Sequence, residues 1–403
     1  MKIFTTANET VDTAHAVAEM VDALKQRLSE PPVILKTSYT EQHDPKIILE
    51  TLRIAFPDTQ ILGGSTHEGL FTEKRTYGFG KPAIGVLAIC DEFADVGVAV
   101  EALPPDAGKQ DILTALQTAL ARAQDQADRR GELPDLIWTY MTPGLEEDSI
   151  AALVDTFGEG TRTVGMTVAD NFMTAKWSMF DERGVTGNGI GIALFYSTEA
   201  VTHYIQSGFM PKGPSGVVTK AEGRNLITID DKPASEVFVD WLGHDCITET
   251  GQVSYELMGL SSLAHRVGET RLPSGTVIED YYLVAPVLSD GQTLTMVANP
   301  VVGEKIYMMT GEKESMHNRL GNVTQQTLDK SSELGPMAGG ILVMCAGYTM
   351  AMQHDSLKSM ESLIETFDGI PVLGTMGYGE QGTYTNGKCI HGNWMVSSTV
   401  FSA

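Results

Sequence analysis

Basic residues are scarce in this 403-residue chain: 28 Lys and Arg stand against 52 Asp and Glu, a formal net charge of -24. A surface this acidic repels phosphodiester backbones and anionic lipid headgroups, and no run of Lys or Arg offers a local exception, so nucleic-acid and membrane partners are excluded as expectations. Cysteine is equally thin. Cys90, Cys246, Cys345 and Cys389 are scattered without a Cys-x-x-Cys pair, which fits reduced thiols and a cytoplasmic location better than a disulfide framework. No stretch approaches the roughly 20 apolar residues of a spanning helix, and Met1 to Ala7 lacks the apolar core of a signal peptide. The Gly-x-Ser-x-Gly elbow of hydrolases is missing, as is a phosphate loop ending in Gly-Lys-Ser/Thr. The expectation is a protein that is not an enzyme.

What the chain does have is one segment written three times: a β-rich run, a polar turn, a helix, a second β-rich run ending in Gly, then small polar residues. The first copy runs from Val33 through a helix around 47–56 to Gly63-Gly64-Ser65-Thr66-His67-Glu68-Gly69. The second starts at Leu136, passes Pro143-Gly144 and a helix over 148–157, and reaches Gly165-Met166-Thr167-Val168-Ala169-Asp170-Asn171. The third starts at Ile341, passes Cys345-Ala346-Gly347-Tyr348 and a helix over 357–367, and reaches Gly374-Thr375-Met376-Gly377-Tyr378-Gly379-Glu380. A further strand closes each copy, at 84–89, 190–196 and 394–401. Such units cannot cover their own apolar strand faces and need their siblings. The fold class expected is α/β, or α+β with mixed sheets, in repeated strand-helix-strand-strand units.

Around the copies, apolar spacing predicts helices over 10–28 and 110–130 and a strand over 94–101. Between the second and third copies the pattern changes: two strands over 216–230 flank an Ala-Glu-Gly-Arg turn, a short helix runs from Pro233 to 242, and a hairpin joins 281–287 to 293–297. A helix is expected over 315–332. Gly208, Pro211, Gly213, Pro214 and Gly216 crowd together, and the boundary is set there, giving domains 1–205 and 206–403.

The runs Gly-Gly-Ser-Thr from Gly63, Gly-Ile-Ala-Leu-Phe-Tyr-Ser near 192, Thr-Lys-Ala-Glu-Gly-Arg-Asn from Thr219, Leu-Val-Met-Cys-Ala-Gly from Leu342 and Gly-Tyr-Gly-Glu at 377–380, in this order, resemble the FIST sensory family. The resemblance spans nearly the whole chain and implies an N-terminal and a C-terminal FIST half. It implies an intracellular signal-transduction module that binds a small ligand, either an amino-acid-like metabolite or, through haem, a diatomic gas such as nitric oxide. It also implies a separate signalling partner, a histidine kinase of a two-component system or a cyclase, because no output region is attached. Oligomeric state stays open, a homo-oligomer included.

The candidate ligand-binding residues lie where loops leave the C-terminal strand ends, since backbone N–H groups and short polar side chains converge there. They are Ser65, Thr66, His67, Asp170, Asn171, Tyr378 and Glu380, joined by Arg224 as a carboxylate clamp and by Cys345, His391 and Asn393. No metal site and no cofactor are secured by spacing. For haem, a lone proximal His suffices, and His391, His244 and His67 are the candidates. A zinc site from His244, Cys246, Cys389 and His391 lacks the usual knuckle. Cys345 with His391 as base is the alternative of a thiol enzyme, and it requires the two within hydrogen-bond reach.

Overall fold

Each copy folds as the spacing predicts. The computed structural model describes all residues except 255–256, 258, 272–274, 313–322, 330–334 and 353. Unit 1 comprises strands Lys2–Asn8, Ile34–Tyr39, Gln60–Ser65 and Ile84–Cys90; unit 2 comprises Asp95–Ala102, Leu136–Met141, Thr163–Thr167 and Gly189–Tyr196; unit 3 comprises Val201–Ser207, Met337–Cys345, Val372–Gly377 and Met395–Ser402. In every unit the second and third strands are parallel across a helical crossover, and the fourth lies antiparallel between the first and second. The crossovers are Pro45–Ala55, Glu146–Phe157, and Ala346–Met352 followed by His354–Phe367. The helices Thr13–Arg27 and Lys109–Gln126 cover the first two sheets further. Asp12 and Asp44 start their helices by accepting a backbone N–H, and Pro45 occupies a first-turn position where a missing donor costs nothing.

The hairpin after the third strand of each unit is given away. Gly69–Thr72 with Thr76–Gly78, from unit 1, extends the sheet of unit 3 through pairing with Val372–Gly377. Met179–Asp181 with Gly184–Thr186, from unit 2, extends unit 1 along Gln60–Ser65. Glu380–Thr383 with Cys389–Gly392, from unit 3, extends unit 2 along Thr163–Thr167. The result is three six-stranded sheets of identical strand order, linked in a cycle.

One face of each sheet turns to a shared central core, where Ile34 and Leu62 of unit 1 meet Trp138 and Val164 of unit 2 and Ile341 and Leu373 of unit 3. The other faces carry helices in separate clusters. Strands such as Ile84–Cys90 and Gly189–Tyr196 are therefore buried on both sides, which explains why they read as unbroken apolar runs.

In unit 3 the helix between first and second strands is replaced by an insertion, folded chiefly as an antiparallel sheet of Ser215–Glu222, Asn225–Ile229, Ser261–Arg271, Val277–Leu283, Pro286–Ser289, Leu294–Met296 and Lys305–Thr310. The expected turn at Gly223-Arg224 is there, with Gly223 at φ +53°. The expected 281–287 with 293–297 hairpin is shorter, Pro286–Ser289 with Leu294–Met296, because Val277–Leu283 pairs instead with Ser261–Arg271, whose interspersed charges hid it from the apolar pattern. The helix expected over 315–332 falls largely outside the described residues, and 323–329 is helical.

Candidate functional site

The polar strand-end loops meet where the three units converge, and most of their groups are spent on one another. Thr66 donates to the Gly69 carbonyl at 2.9 Å and accepts from Met376 N–H at 2.9 Å, while His67 N–H donates to the Met376 carbonyl at 3.0 Å, tying the first loop to the third. The Ser65 hydroxyl accepts from Ser178 N–H at 2.9 Å and its carbonyl from Ala169 N–H at 3.2 Å, tying the first loop to the second. Tyr378 donates its hydroxyl to Asp170 at 2.6 Å, and Asn171 accepts from Glu68 N–H at 2.7 Å. Asp170 also accepts from the N–H groups of Phe172, Thr174 and Lys176. Burial opposes its ionisation, but the Tyr378 hydroxyl and these three donors outweigh it and hold the carboxyl below the usual range. Six expected residues, Ser65, Thr66, His67, Asp170, Asn171 and Tyr378, thus come together as a seam locking the units. Among the described residues His67 keeps one buried ring nitrogen, Nε2, without a hydrogen bond; Nδ1 lies 2.9 Å from the Asp170 carbonyl.

The donated hairpins distinguish the three seams. Phe71 opposes Gly374, Phe180 opposes Gly63, and at the equivalent position Gln381 opposes Gly165. A Cβ on Gly374 or Gly63 would fall 2.0 or 2.1 Å from the facing phenylalanine ring, so both glycines exist to admit a ring. The preceding residues are Leu70, Met179 and, in the third hairpin, Glu380. Two seams are closed by Leu-Phe and Met-Phe, and the third carries Glu-Gln, with one polar side chain on each sheet face.

On one face, Gln381 Nε2 lies 3.1 Å from the Thr167 hydroxyl and 3.2 Å from His391 Nδ1. Thr167 donates to Glu146 at 2.8 Å, and His391 Nε2 lies 3.9 Å from the same carboxylate oxygen. The two ring nitrogens thus face Gln381 and Glu146. Arg224, reaching in from the insertion, holds Glu146 at 2.7 Å and Glu147 at 2.9 Å, and Glu147 also accepts from Asn299 N–H at 3.0 Å. Burial works against the Glu146 charge, but the His391 imidazole and the Arg224 guanidinium win and keep its carboxyl below the ordinary range. Its place in the first helical turn adds a favourable dipole. The sequence offers Arg224 as a carboxylate clamp for a ligand; its partners are Glu146 and Glu147, 78 and 77 residues away.

On the opposite face, Glu380 sits against Cys345. Burial pushes the Glu380 carboxyl well above the carboxylate range, and burial together with the neighbouring Glu380 raises the Cys345 thiol as well. Cys345 therefore lies against Glu380 and His391 faces Glu146, and no Cys345–His391 hydrogen bond is formed among the described residues. Asn393 donates to the Tyr378 carbonyl at 3.3 Å, fastening the strand end to the seam. His244 is exposed in a short turn of the insertion, His244–Cys246, away from both clusters. Among the described residues no group of three or more His, Cys, Asp or Glu is arranged to hold a metal.

Haem does not fit His391 as it stands. Its Nδ1 is taken by Gln381 and its Nε2 faces a carboxylate, while the Gly379 backbone packs so closely on the ring that a Cβ there would lie 2.1 Å from it. His67 Nε2 is the better available nitrogen, but it lies 3.8 Å from Glu68 and the ring is 2% exposed.

Sequence reasoning missed Glu146, Glu147 and Gln381. Acidic residues in a first helical turn are so commonly stabilising that they carry no functional signal. Gln381 was detectable by laying the three copies side by side, where it replaces phenylalanine twice.

The chain is thus a pseudo-threefold α/β protein with one polar seam and a β-rich insertion placed against it. It belongs to the FIST family: the FIST N domain matches residues 32–232 and the FIST C domain residues 234–383. FIST domains are sensory domains of signal transduction. No curated protein matches the chain. Among solved structures it is similar to a cyanuric acid hydrolase from A. caulinodans, at 10% identity over 100% of this chain and 99% of that one, with a TM-score of 0.38. PurLQS from Thermotoga maritima follows at 9% identity, covering 100% and 72%, TM-score 0.22. T. maritima PurL complexed with ATP is 11% identical, covering 99% and 71%, TM-score 0.21. Likeness at this level carries no inference about activity.

Proposed function

We propose that this FIST protein senses a small polar metabolite carrying a protonated amine, bound at the polar seam formed by Glu146, Glu147, Thr167, Arg224, Gln381 and His391. The observation behind this reading is the broken symmetry: where the first two hairpins carry Leu70-Phe71 and Met179-Phe180, the third carries Glu380-Gln381, polar at both positions. Two carboxylates there share one guanidinium, so an ammonium group would find carboxylate oxygens to pair with. The same residues bridge unit 2, the unit 3 hairpin and the insertion, so a ligand that separates Arg224 from its glutamates changes how the insertion sits. It can bias a signalling partner only through different affinities for the two arrangements. The acidic surface suits a basic patch on a separate histidine kinase or cyclase, since complementary charge accelerates encounter. A cytoplasmic setting agrees with the four free thiols, and no helix of the described residues is long and apolar enough to cross a membrane.

Thermal-shift screening of amino acids and simple amines against the wild type and Arg224→Gln tests the reading. Stabilisation by an amine that the variant loses is the expected result; no stabilisation by any amine, together with saturable haem uptake, would replace it with the haem reading. The unpartnered Nε2 of His67 favours that second reading, and His67→Ala should then abolish the Soret band while His244→Ala leaves it intact.

A further inference from the structure

A cavity of about 460 Å³ opens on another side of the same hairpin, where its tip meets unit 2 and the first strand of unit 3. That volume is in the range of small-molecule sites. Its wall is formed by Arg162, Thr202, His203, Tyr204, Tyr384 and Thr385, with Gly160 and Gly387 at the rim. The two glycines have φ of +90° and +88°, and Gly160 N–H donates to the Gly387 carbonyl at 3.0 Å, so the rim is built by backbone that side chains would not tolerate.

Three features of this wall agree. No carboxylate lines it, although the chain has 52 of them. Arg162 is exposed and makes no ion pair among the described residues. The Thr202 hydroxyl, on a residue 8% exposed, has no hydrogen-bond partner among the described residues. An unspent guanidinium and an unspent hydroxyl beside two tyrosines are the chemistry of oxyanion recognition next to a flat surface. The Tyr384 ring is held in place by donation of its hydroxyl to the Tyr281 carbonyl at 3.2 Å.

We infer that this cavity is a second ligand site, for a small organic carboxylate whose charged group meets Arg162 and whose planar body lies against Tyr204 and Tyr384. The site stands independently of the amine seam. Because Thr383 to Gly387 form the tip of the hairpin whose strands carry Gln381 and His391, an anion held here contacts the element that completes that seam.

Benzoate and inorganic phosphate, titrated calorimetrically into the full chain, separate the alternatives. Benzoate should bind saturably and more tightly than phosphate; Arg162→Gln should weaken it by about tenfold, the worth of a charge-assisted pair. Arg162 is exposed, so an unaltered unfolding midpoint in Arg162→Gln establishes that the fold is intact. Equal benzoate affinity in wild type and Arg162→Gln overturns the site, phosphate binding tighter than benzoate overturns the ligand class, and absence of saturable binding by both overturns the proposal whole.

Discussion

Burial opposes charge on two side chains, and they should leave opposite marks on the pH dependence of stability. Lys36 lies on the inner face of unit 1, its Nζ 4.4 Å from the Trp138 ring centre, and burial lowers its pKa from 10.5 to about 7. The unfolded chain therefore binds the extra proton, and stability should rise with pH between about 7 and 10.5. Lys36→Met, similar in volume and free of charge, should raise the unfolding free energy at pH 7 by several kcal/mol on this order-of-magnitude reasoning, with the gain vanishing as pH passes 10.5; urea titrations across that range check it. Glu380 is the reverse case. Its folded pKa is raised above 4.5, the native state holds the proton, and stability is lost as pH climbs through that value. Glu380→Gln, nearly isosteric with the neutral acid, should match wild type below pH 4 and be the more stable protein at pH 7.5. For the amine seam, Arg224→Gln leaves Glu146 buried without its nearest cation and should cost roughly 3 kcal/mol, with the deficit shrinking as pH falls through the depressed Glu146 pKa.

At the scale of elements, the hairpin exchange turns small residues into determinants of the fold. Gly374→Ala would drive a methyl into the Phe71 ring supplied by unit 1, and the neighbouring backbone is fixed by pairing on both sides, so a loss of several kcal/mol and a lower thermal midpoint are expected. Gly158→Ala, where nothing lies within 4 Å, should cost only the strain of a positive φ. The strands and crossovers of this architecture were legible because apolar periodicity and Gly/Pro punctuation are local signals: the helix expected over 110–130 is Lys109–Gln126, and the one over 10–28 is Thr13–Arg27. The destination of the hairpins was not legible, since nothing within Gly69–Gly78 says which of three similar edges it will join. The site followed the same division. Loop residues His67, Asp170 and Tyr378 were found by composition, but their partners decide that they act as fasteners, while Arg224 gained meaning only when the fold brought it to glutamates some 78 residues away.

For the molecule as a whole, no unit completes its own sheet, so the three should unfold together. Variants retaining only Trp138, in unit 2, or only Trp394, in unit 3, should report the same denaturant midpoint; separated midpoints would mean that the units melt independently. The cyclic exchange also bears on assembly. A unit that gives its hairpin in one direction and receives one from the other has a head-to-tail interface, and three such contacts close a ring when each rotates by about 120°. The covalent links between units serve connectivity more than adhesion. Three separate copies of one such unit, each about a quarter of this chain, would carry the same complementary edges and could stand as a trimer, with the present single chain as its fused descendant, free to let one seam in three drift toward recognition.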